Sequence, residues 1–360
     1  MTRVRVPLPG KRYDILVGAG VRTGAARSIA AAVAARRLLI VADARAWDRH
    51  GPPLLENLRG TFDLSVVTIP PGESSKTLRR AERLFEACRD HRLGRDGAIL
   101  AFGGGMVGDL AGFVAATWQR GVDLVMMPTT LLAQVDSSVG GKVAVNVGGI
   151  KNLVGAFHQP RLVLADTDWL ATLSPRERRS GLAEVVKYGM IADRRLFERL
   201  ERAGAGLMKA SAEELANVVV GCVRIKSAIV ARDEKDEGRR LLLNYGHTIG
   251  HAFEAAAAGG LRHGEAVALG MRGAARLAEG IGWLDSASRR RQDELLDALG
   301  LPNRFSGASP RELEAKILQD KKVQDRKPRF VLTRSIGSAS VAPPIDASRV
   351  RRVLADLTSS

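Results

Sequence analysis

Four short apolar runs, separated by stretches of helical periodicity, constrain the fold of this chain more than any other feature. Residues 37–42, 64–69, 97–102 and 122–127 are rich in Leu, Ile, Val and Met. Runs of that length read as strands buried on both faces. The intervening residues, for example 78–91, carry a helical pattern. Parallel strands need such crossovers, so the alternation predicts a largely parallel sheet covered by helices. From about Ser174 onward the pattern is mostly helical, as in 212–233, 264–280 and 289–299, with a short β-like pair at 329–333 and 339–341 around Gly337. The reading is an α/β domain over residues 1–172 and a mainly α-helical domain over residues 173–360.

Composition narrows the function. The 360 residues carry a formal net charge of +16. Nucleic acid is not the expected partner: aromatic stacking residues make up only 4%, and the basic residues alternate with acids, as in Arg176-Glu-Arg-Arg179 and Arg232-Asp-Glu-Lys-Asp-Glu237. A solvated basic surface comes first, and steering of small anionic substrates second. Cys88 and Cys222 lie far apart with no CxxC, which fits a reducing, cytoplasmic setting. No secretory h-region stands at the start, and no apolar run approaches the ~20 residues of a membrane span, so no membrane partner is expected.

Three polar loops follow predicted strands. Gly103-Gly-Gly-Met-Val-Gly108 matches GxGxxG and precedes Asp109; glycines let a backbone approach a pyrophosphate at a helix N-terminus. The motif follows a later strand than usual, and the best acid at a strand end is Asp43, far upstream. Any dinucleotide would therefore be held in a non-standard way. Pro70-Pro-Gly-Glu-Ser-Ser-Lys76-Thr77 reads as a capped turn or as a site in which Glu73 holds hydroxyls and Lys76 a phosphate. Thr129 and Thr130 end another strand. The glycine-rich stretch 134–146 is too polar for a core element; Lys142 and Lys151 read as surface lysines or as anion holders.

Three of the six histidines, His247, His251 and His263, fall within about twenty residues. Neutral imidazole is the commonest ligand of catalytic zinc, and Glu184 offers a carboxylate. Two histidines and one acid leave a position open for substrate. Spacing leaves open whether His251 or His263 completes the set with His247 and Glu184. Lys187 shares a helical face with Glu184. Lys226 stands on an apolar stripe, where a lysine either snorkels or enters a site. Arg240 and Asn244 lead into His247, and Asp320-Lys321-Lys322 forms a late basic cluster.

Together these segments resemble the 3-dehydroquinate synthases of the sugar phosphate cyclase family. The matching pieces are Pro71-Gly-Glu-Ser-Ser-Lys76, residues 103–113, 128–142, Lys151-Asn152, 183–189, 243–252, His263-Gly-Glu265 and Asp320-Lys-Lys322. The resemblance implies a Rossmann-like NAD-binding domain, a helical metal- and substrate-binding domain and a homodimer. It implies that Glu184, His247 and His263 bind Zn2+ or Co2+. His251, Lys142, Asn152 and the cluster containing Lys322 would hold the substrate phosphate, joined by Arg120 reaching into the neighbouring subunit. Lys187, Lys226, Arg240 and Asn244 would surround the substrate's hydroxyls and carboxylate, and Asp136 belongs to the same catalytic set. NAD+ would contact Asp43, Pro71, Gly72, Glu73, Ser74, Ser75, Lys76, Gly105, Met106, Val107, Gly108, Asp109, Thr129, Thr130, Lys142, Lys151, Trp169, Leu170, Ala171 and Thr172. Trp169 stands where the family is expected to carry Phe. The implied reaction converts 3-deoxy-D-arabino-heptulosonate 7-phosphate into 3-dehydroquinate and phosphate. It runs through transient oxidation, phosphate elimination, reduction, ring opening and aldol closure, with NAD not consumed.

Overall fold

The computed structural model describes residues 1–8, 11–236, 238–319 and 328–358. The chain divides into two compact units, one of Met1–Leu173 with Ser211–Lys235, the other of Ser174–Ala210 with Asp236–Ser360. The break near residue 173 falls where the pattern changes from alternating to helical. Residues 211–235, which the sequence reading placed with the second half, belong with the first.

In the first unit the strands are β1 (Thr2–Leu8), β2 (Lys11–Gly18), β3 (Arg37–Asp43), β4 (Asp63–Ile69), β5 (Ala98–Gly103), β6 (Asp123–Pro128), β7 (Lys142–Val147), β8 (Ile150–Phe157) and β9 (Leu162–Asp166). Seven of them form one sheet in the order β1-β2-β9-β6-β5-β3-β4. Only the β1–β2 pair is antiparallel; the other pairs are parallel. Leu38, Leu39, Ile40 and Val41 of β3 are all fully buried, as a central parallel strand requires. The four apolar runs became β3 to β6. Helix Ala212–Arg232 packs on β1, β2 and the π-helical turn Ala133–Ser137. Its stripe Val219, Cys222, Val223 and Val230 is thereby buried.

The remaining two strands form a separate hairpin. β7 and β8 turn through Gly148 and Gly149, both at positive φ (58° and 78°), the backbone that a two-residue hairpin turn of right-handed twist requires.

The second unit is built on helices Pro175–Ala192, His247–Ala256 and His263–Gly280, with Arg194–Ala203, Ser286–Ala298, Pro310–Gln319 and Ala347–Thr358 around them. The hairpin β10 (Val331–Ser335) and β11 (Ser338–Val341) turns at Gly337, close to the expected pair. Glycines set the helix spacing. A Cβ at Gly264 would stand 2.0 Å from the Ser180 carbonyl oxygen, and one at Gly270 only 1.8 Å from that of Gly246. Backbones in such contact bring side chains from three helices within reach of one another. Among the described residues no helix is long and apolar enough to cross a membrane.

Candidate active-site residues

In the first unit, every parallel strand delivers its following loop to one sheet edge. β3 ends at Asp43, β4 leads into the loop around Glu73, and β5 ends at Gly103. β6 leads into Thr129 and Thr130, and β9 into the turn Thr167–Thr172. From β3 the chain moves outward to β4, then returns to β5 on the other side of β3. The loops after β3 and β5 therefore part company, and open α/β sheets bind ligands at such a switch point. Helix Gly105–Thr117 opens on the glycine turn, so its first N–H groups face this edge. The turn is tightly held: a Cβ at Gly104 would meet Thr130 at 3.2 Å, and one at Gly105 the Ser137 hydroxyl at 2.8 Å. Asp43 caps helix Ala44–Leu58 by accepting from the Ala46 amide at 3.1 Å. Trp169 turns away from the edge. It is 1% exposed, and its ring lies 5.2 Å from that of Phe102, which leaves Ala171 and Thr172 as the exposed part of that segment.

Lys76 is the hub of this edge. Only 3% exposed, it donates to Asp109 Oδ2 at 2.5 Å and to the side-chain oxygen Oδ1 of Asn152, and lies 3.8 Å from Glu73. Burial lifts the Asp109 carboxyl above its ordinary range, against the pull of Lys76. Asn152 sits at φ 53°, a left-handed conformation that asparagine tolerates better than most residues. Its amide donates to Asn146 Oδ1 at 2.9 Å, and Asn146 Nδ2 donates to Glu73 Oε1 at 2.9 Å. The Glu73 loop, the glycine-turn helix and the β7–β8 hairpin are thus tied together. The stretch 134–146 runs from the turn Ala133–Ser137 into β7, and its last residue, Asn146, joins this network. Lys142 and Lys151 are exposed on the hairpin, and Arg120 is exposed at φ 66° beside Gly121. Lys226 does not snorkel: at 5% exposure, it donates to Asp136 Oδ1 at 2.8 Å and to the Asp136 carbonyl at 2.7 Å.

In the second unit, Glu184 from helix Pro175–Ala192 meets His247 and His263, each the first residue of its helix. One ligand atom from each of the three lies within 4.8 Å of the others, and among the described residues no other group of three or more His, Cys, Asp or Glu does this. Glu184 Oε1 is 3.4 Å from His247 Nε2 and 3.3 Å from His263 Nε2. Both outer nitrogens are held. His247 Nδ1 lies 3.1 Å from the Tyr245 carbonyl oxygen, and His263 Nδ1 lies 3.2 Å from Glu254 Oε2. Both oxygens can only accept, so each Nδ1 donates and each Nε2 is left to face Glu184, as a lone pair when the ring is neutral. The Glu184 oxygens are buried without a regular hydrogen bond among the described residues, though the Lys187 ammonium stands against Oε2. Carboxylate and imidazole lone pairs facing one another are unfavourable unless a proton or a metal cation sits among them. The donor set fits a divalent metal with an open position.

The site's titration agrees with that fit. Burial opposes ionisation of Glu184, yet Lys187 and His247 hold it well below the usual carboxylate range. Burial pushes His247 down to about 4. Burial also disfavours charge on His263, but its contacts with Glu184 and Glu254 prevail and raise it to about 10. Without a metal the cluster is built to hold one proton instead.

His251 stands beside this set, its ring 5.4 Å from that of His247 and 6.3 Å from that of His263. Lys187 is 1% exposed and Arg240 2%, so two cations are buried in the same unit; Asn244 closes the turn Arg239–Asn244 that precedes His247. Lys322, with Asp320 and Lys321, lies outside the described residues. Sequence reasoning gave no role to Asn146 or Glu254. Glu254 follows His247 by seven residues, a same-face spacing that could have flagged it.

Comparison with known proteins supplies the family. A model described as 3-dehydroquinate synthase N-terminal matches residues 66–180, and one described as 3-dehydroquinate synthase C-terminal matches residues 181–323. A 3-dehydroquinate synthase of Desulforamulus reducens is 42% identical over 98% of this chain and 99% of its own. Among solved structures, 2-deoxy-scyllo-inosose synthase complexed with carbaglucose-6-phosphate, NAD+ and Co2+ superposes with a TM-score of 0.91 at 27% identity, covering 98% of this chain and 99% of that one. The 2-epi-5-epi-valiolone synthase ValA of Streptomyces hygroscopicus, with NAD+ and Zn2+ bound, gives 0.90 at 30%, covering 97% and 98%.

Proposed function

The chain belongs to the 3-dehydroquinate synthase family, and we infer from this that it converts 3-deoxy-D-arabino-heptulosonate 7-phosphate into 3-dehydroquinate and phosphate. The observation that carries the reading is the set Glu184, His247 and His263, its acid fully buried and both Nε2 atoms turned toward it. Bound there, Zn2+ or Co2+ would supply a Lewis acid for a substrate oxygen. NAD+ would supply a hydride acceptor that is restored within each turnover.

The chain's own residues bind, orient and balance charge. We assign NAD+ to the strand-end edge of the first unit: Asp43, the loop 71–76, the glycine turn 105–109, Thr129 and Thr130, Lys142, Lys151 and residues 169–172. Lys142 and Asn152 there, and His251 and Lys322 of the second unit, are assigned to the substrate phosphate. Fixed cations and amides aimed at a leaving phosphate act most strongly where water is excluded. Arg240 is assigned to the substrate carboxylate, for which a buried guanidinium offers two parallel donors. Lys187, Asn244 and Lys226, the last oriented by Asp136, are assigned to the hydroxyls.

A homodimer is the proposed assembly. β8 exposes Ile150, Leu153, Val154 and Phe157, each at 39% to 48%, along a strand whose second edge pairs with no described strand. Its end adjoins Arg120: a Cβ at Gly121 would lie 4.0 Å from His158, whose Nε2 is 2.9 Å from the Val122 carbonyl oxygen. Pairing there would carry Arg120 toward a neighbour's phosphate. Two buried free cysteines are consistent with a cytoplasmic location.

The test is to mix the protein, NAD+ and metal with the heptulosonate phosphate. Inorganic phosphate and the cyclic product should form with no net NADH, and a chelator should stop turnover. Accumulating NADH without phosphate release would replace this reading with a simple dehydrogenase.

A further inference from the structure

We propose that Glu254 is a positioning residue of the metal centre, one that fixes the orientation and tautomer of His263; the proposal rests on Glu184, His247 and His263 being the ligands. Glu254 lies on the helix that His247 opens, seven residues on, so both project from one face. From there its Oε2 reaches His263 Nδ1, on the next helix, at 3.2 Å. Glu254 therefore braces one ligand-bearing helix to the other.

The brace matters because the two imidazoles are held unequally. His247 is 11% exposed in its side chain and leans on a neutral backbone carbonyl. His263 is 31% exposed, opens its helix, and among the described residues is the ligand whose outer nitrogen meets an anion. A carboxylate can only accept, so Nδ1 must donate, and Nε2 is the nitrogen turned toward Glu184 Oε1, 3.3 Å away. Carboxylate partners of this kind also raise ligand basicity, and losing one typically weakens metal affinity about 10- to 100-fold.

The experiment measures Zn2+ affinity by chelator competition and the visible spectrum of the Co2+-loaded protein, for wild type, E254Q, E254A and H247A. Far-UV circular dichroism and a cooperative thermal melt report that each variant is folded. E254Q keeps an accepting oxygen without the charge, so it separates orientation from basicity. The expectation is that E254A loses about 10- to 100-fold in Zn2+ affinity with altered Co2+ bands. E254Q should lose less and keep a spectrum close to wild type. If both variants bind Zn2+ within twofold of wild type with unchanged spectra, while H247A loses binding, the role of Glu254 is refuted and the metal centre stands. If H247A also binds as wild type, both fall.

Discussion

Single residues decide how the metal centre behaves when empty. Lys187 presses on a carboxylate with no solvent around it. Removing one member of a buried ion pair generally costs about 3–5 kcal/mol, because the other charge is left uncompensated. Lys187→Met should therefore lower the melting temperature of metal-free protein sharply. Zn2+ should restore part of that loss by taking over the compensating charge. Thermal melts with and without Zn2+ read this directly, and equal losses in both would contradict it. His263 gives a second prediction. Its pKa is raised to about 10, above the ordinary imidazole value, so the empty site carries a proton at neutral pH. That proton must leave for Nε2 to bind metal, so affinity should rise with pH and Zn2+ binding at pH 7.5 should release about one proton per site. Calorimetry in buffers of different ionisation enthalpy measures the proton count, and a count near zero would place the proton elsewhere. Much of this site was legible in the sequence. Three histidines and an acid pointed to a metal, but spacing could not choose between His251 and His263, because the choice depends on how two helices pack. Glu254 went unread for the same reason: its partner lies on a different helix.

At the scale of elements, β3, β5 and β6 were legible because burial on both faces leaves an uninterrupted apolar run, and the edge strand β4 kept enough apolar residues to be read with them. β1, β2 and β9 were not picked out; β1 alternates, the apolar run of β2 is only Ile15–Val17, and β9 is only five residues long. The β7–β8 hairpin was not legible as strands because β8 is exposed along most of its length, so no buried face announced it. Helix Ala212–Arg232, which lies in the second half of the sequence, packs with the first; an apolar stripe says that a helix is buried, not against what. The glycine contacts between helices yield a sharper prediction. Gly270→Ala would place a methyl group 1.8 Å from the Gly246 carbonyl oxygen, just before His247. Backbone cannot yield as a flexible side chain does, so overpacking here should cost about 1–3 kcal/mol or more and displace His247. The variant should melt earlier and bind Zn2+ weakly; unchanged values in both would show that the helices can separate without harm. The exposed face of β8 is testable in solution. Leu153→Asp with Phe157→Asp places two charges on one face of an apolar edge strand. If that edge joins two copies, light scattering should show the dimer mass falling to the monomer mass, whereas an unchanged mass would move the interface elsewhere.

For the whole molecule, charge is the property most plainly written in the sequence and least assigned by the structure. A net +16 on 360 residues exceeds what ion pairing uses up. Exposed pairs such as Arg89–Asp90 and Arg194–Glu198 contribute little to stability, about 0.2–1 kcal/mol each, so the excess is not explained as a fold stabiliser. The proposed substrate carries a carboxylate and a phosphate. A positive molecule draws such an anion from a distance, and the attraction fades once the Debye length shortens from about 10 Å at 0.1 M salt toward 3 Å at 1 M. Steering acts on encounter, not on chemistry after binding. Raising potassium chloride from 50 to 500 mM should therefore lower kcat/KM about three- to tenfold while leaving kcat nearly constant. A control with an uncharged salt-matched osmolyte removes viscosity and water activity as causes. If kcat/KM stays flat across that range, long-range attraction plays no part, and the excess of arginine is only a solvated surface. If kcat falls in parallel instead, salt is competing for the buried cations around Arg240 and Lys187, and the charge that matters is local to the second unit.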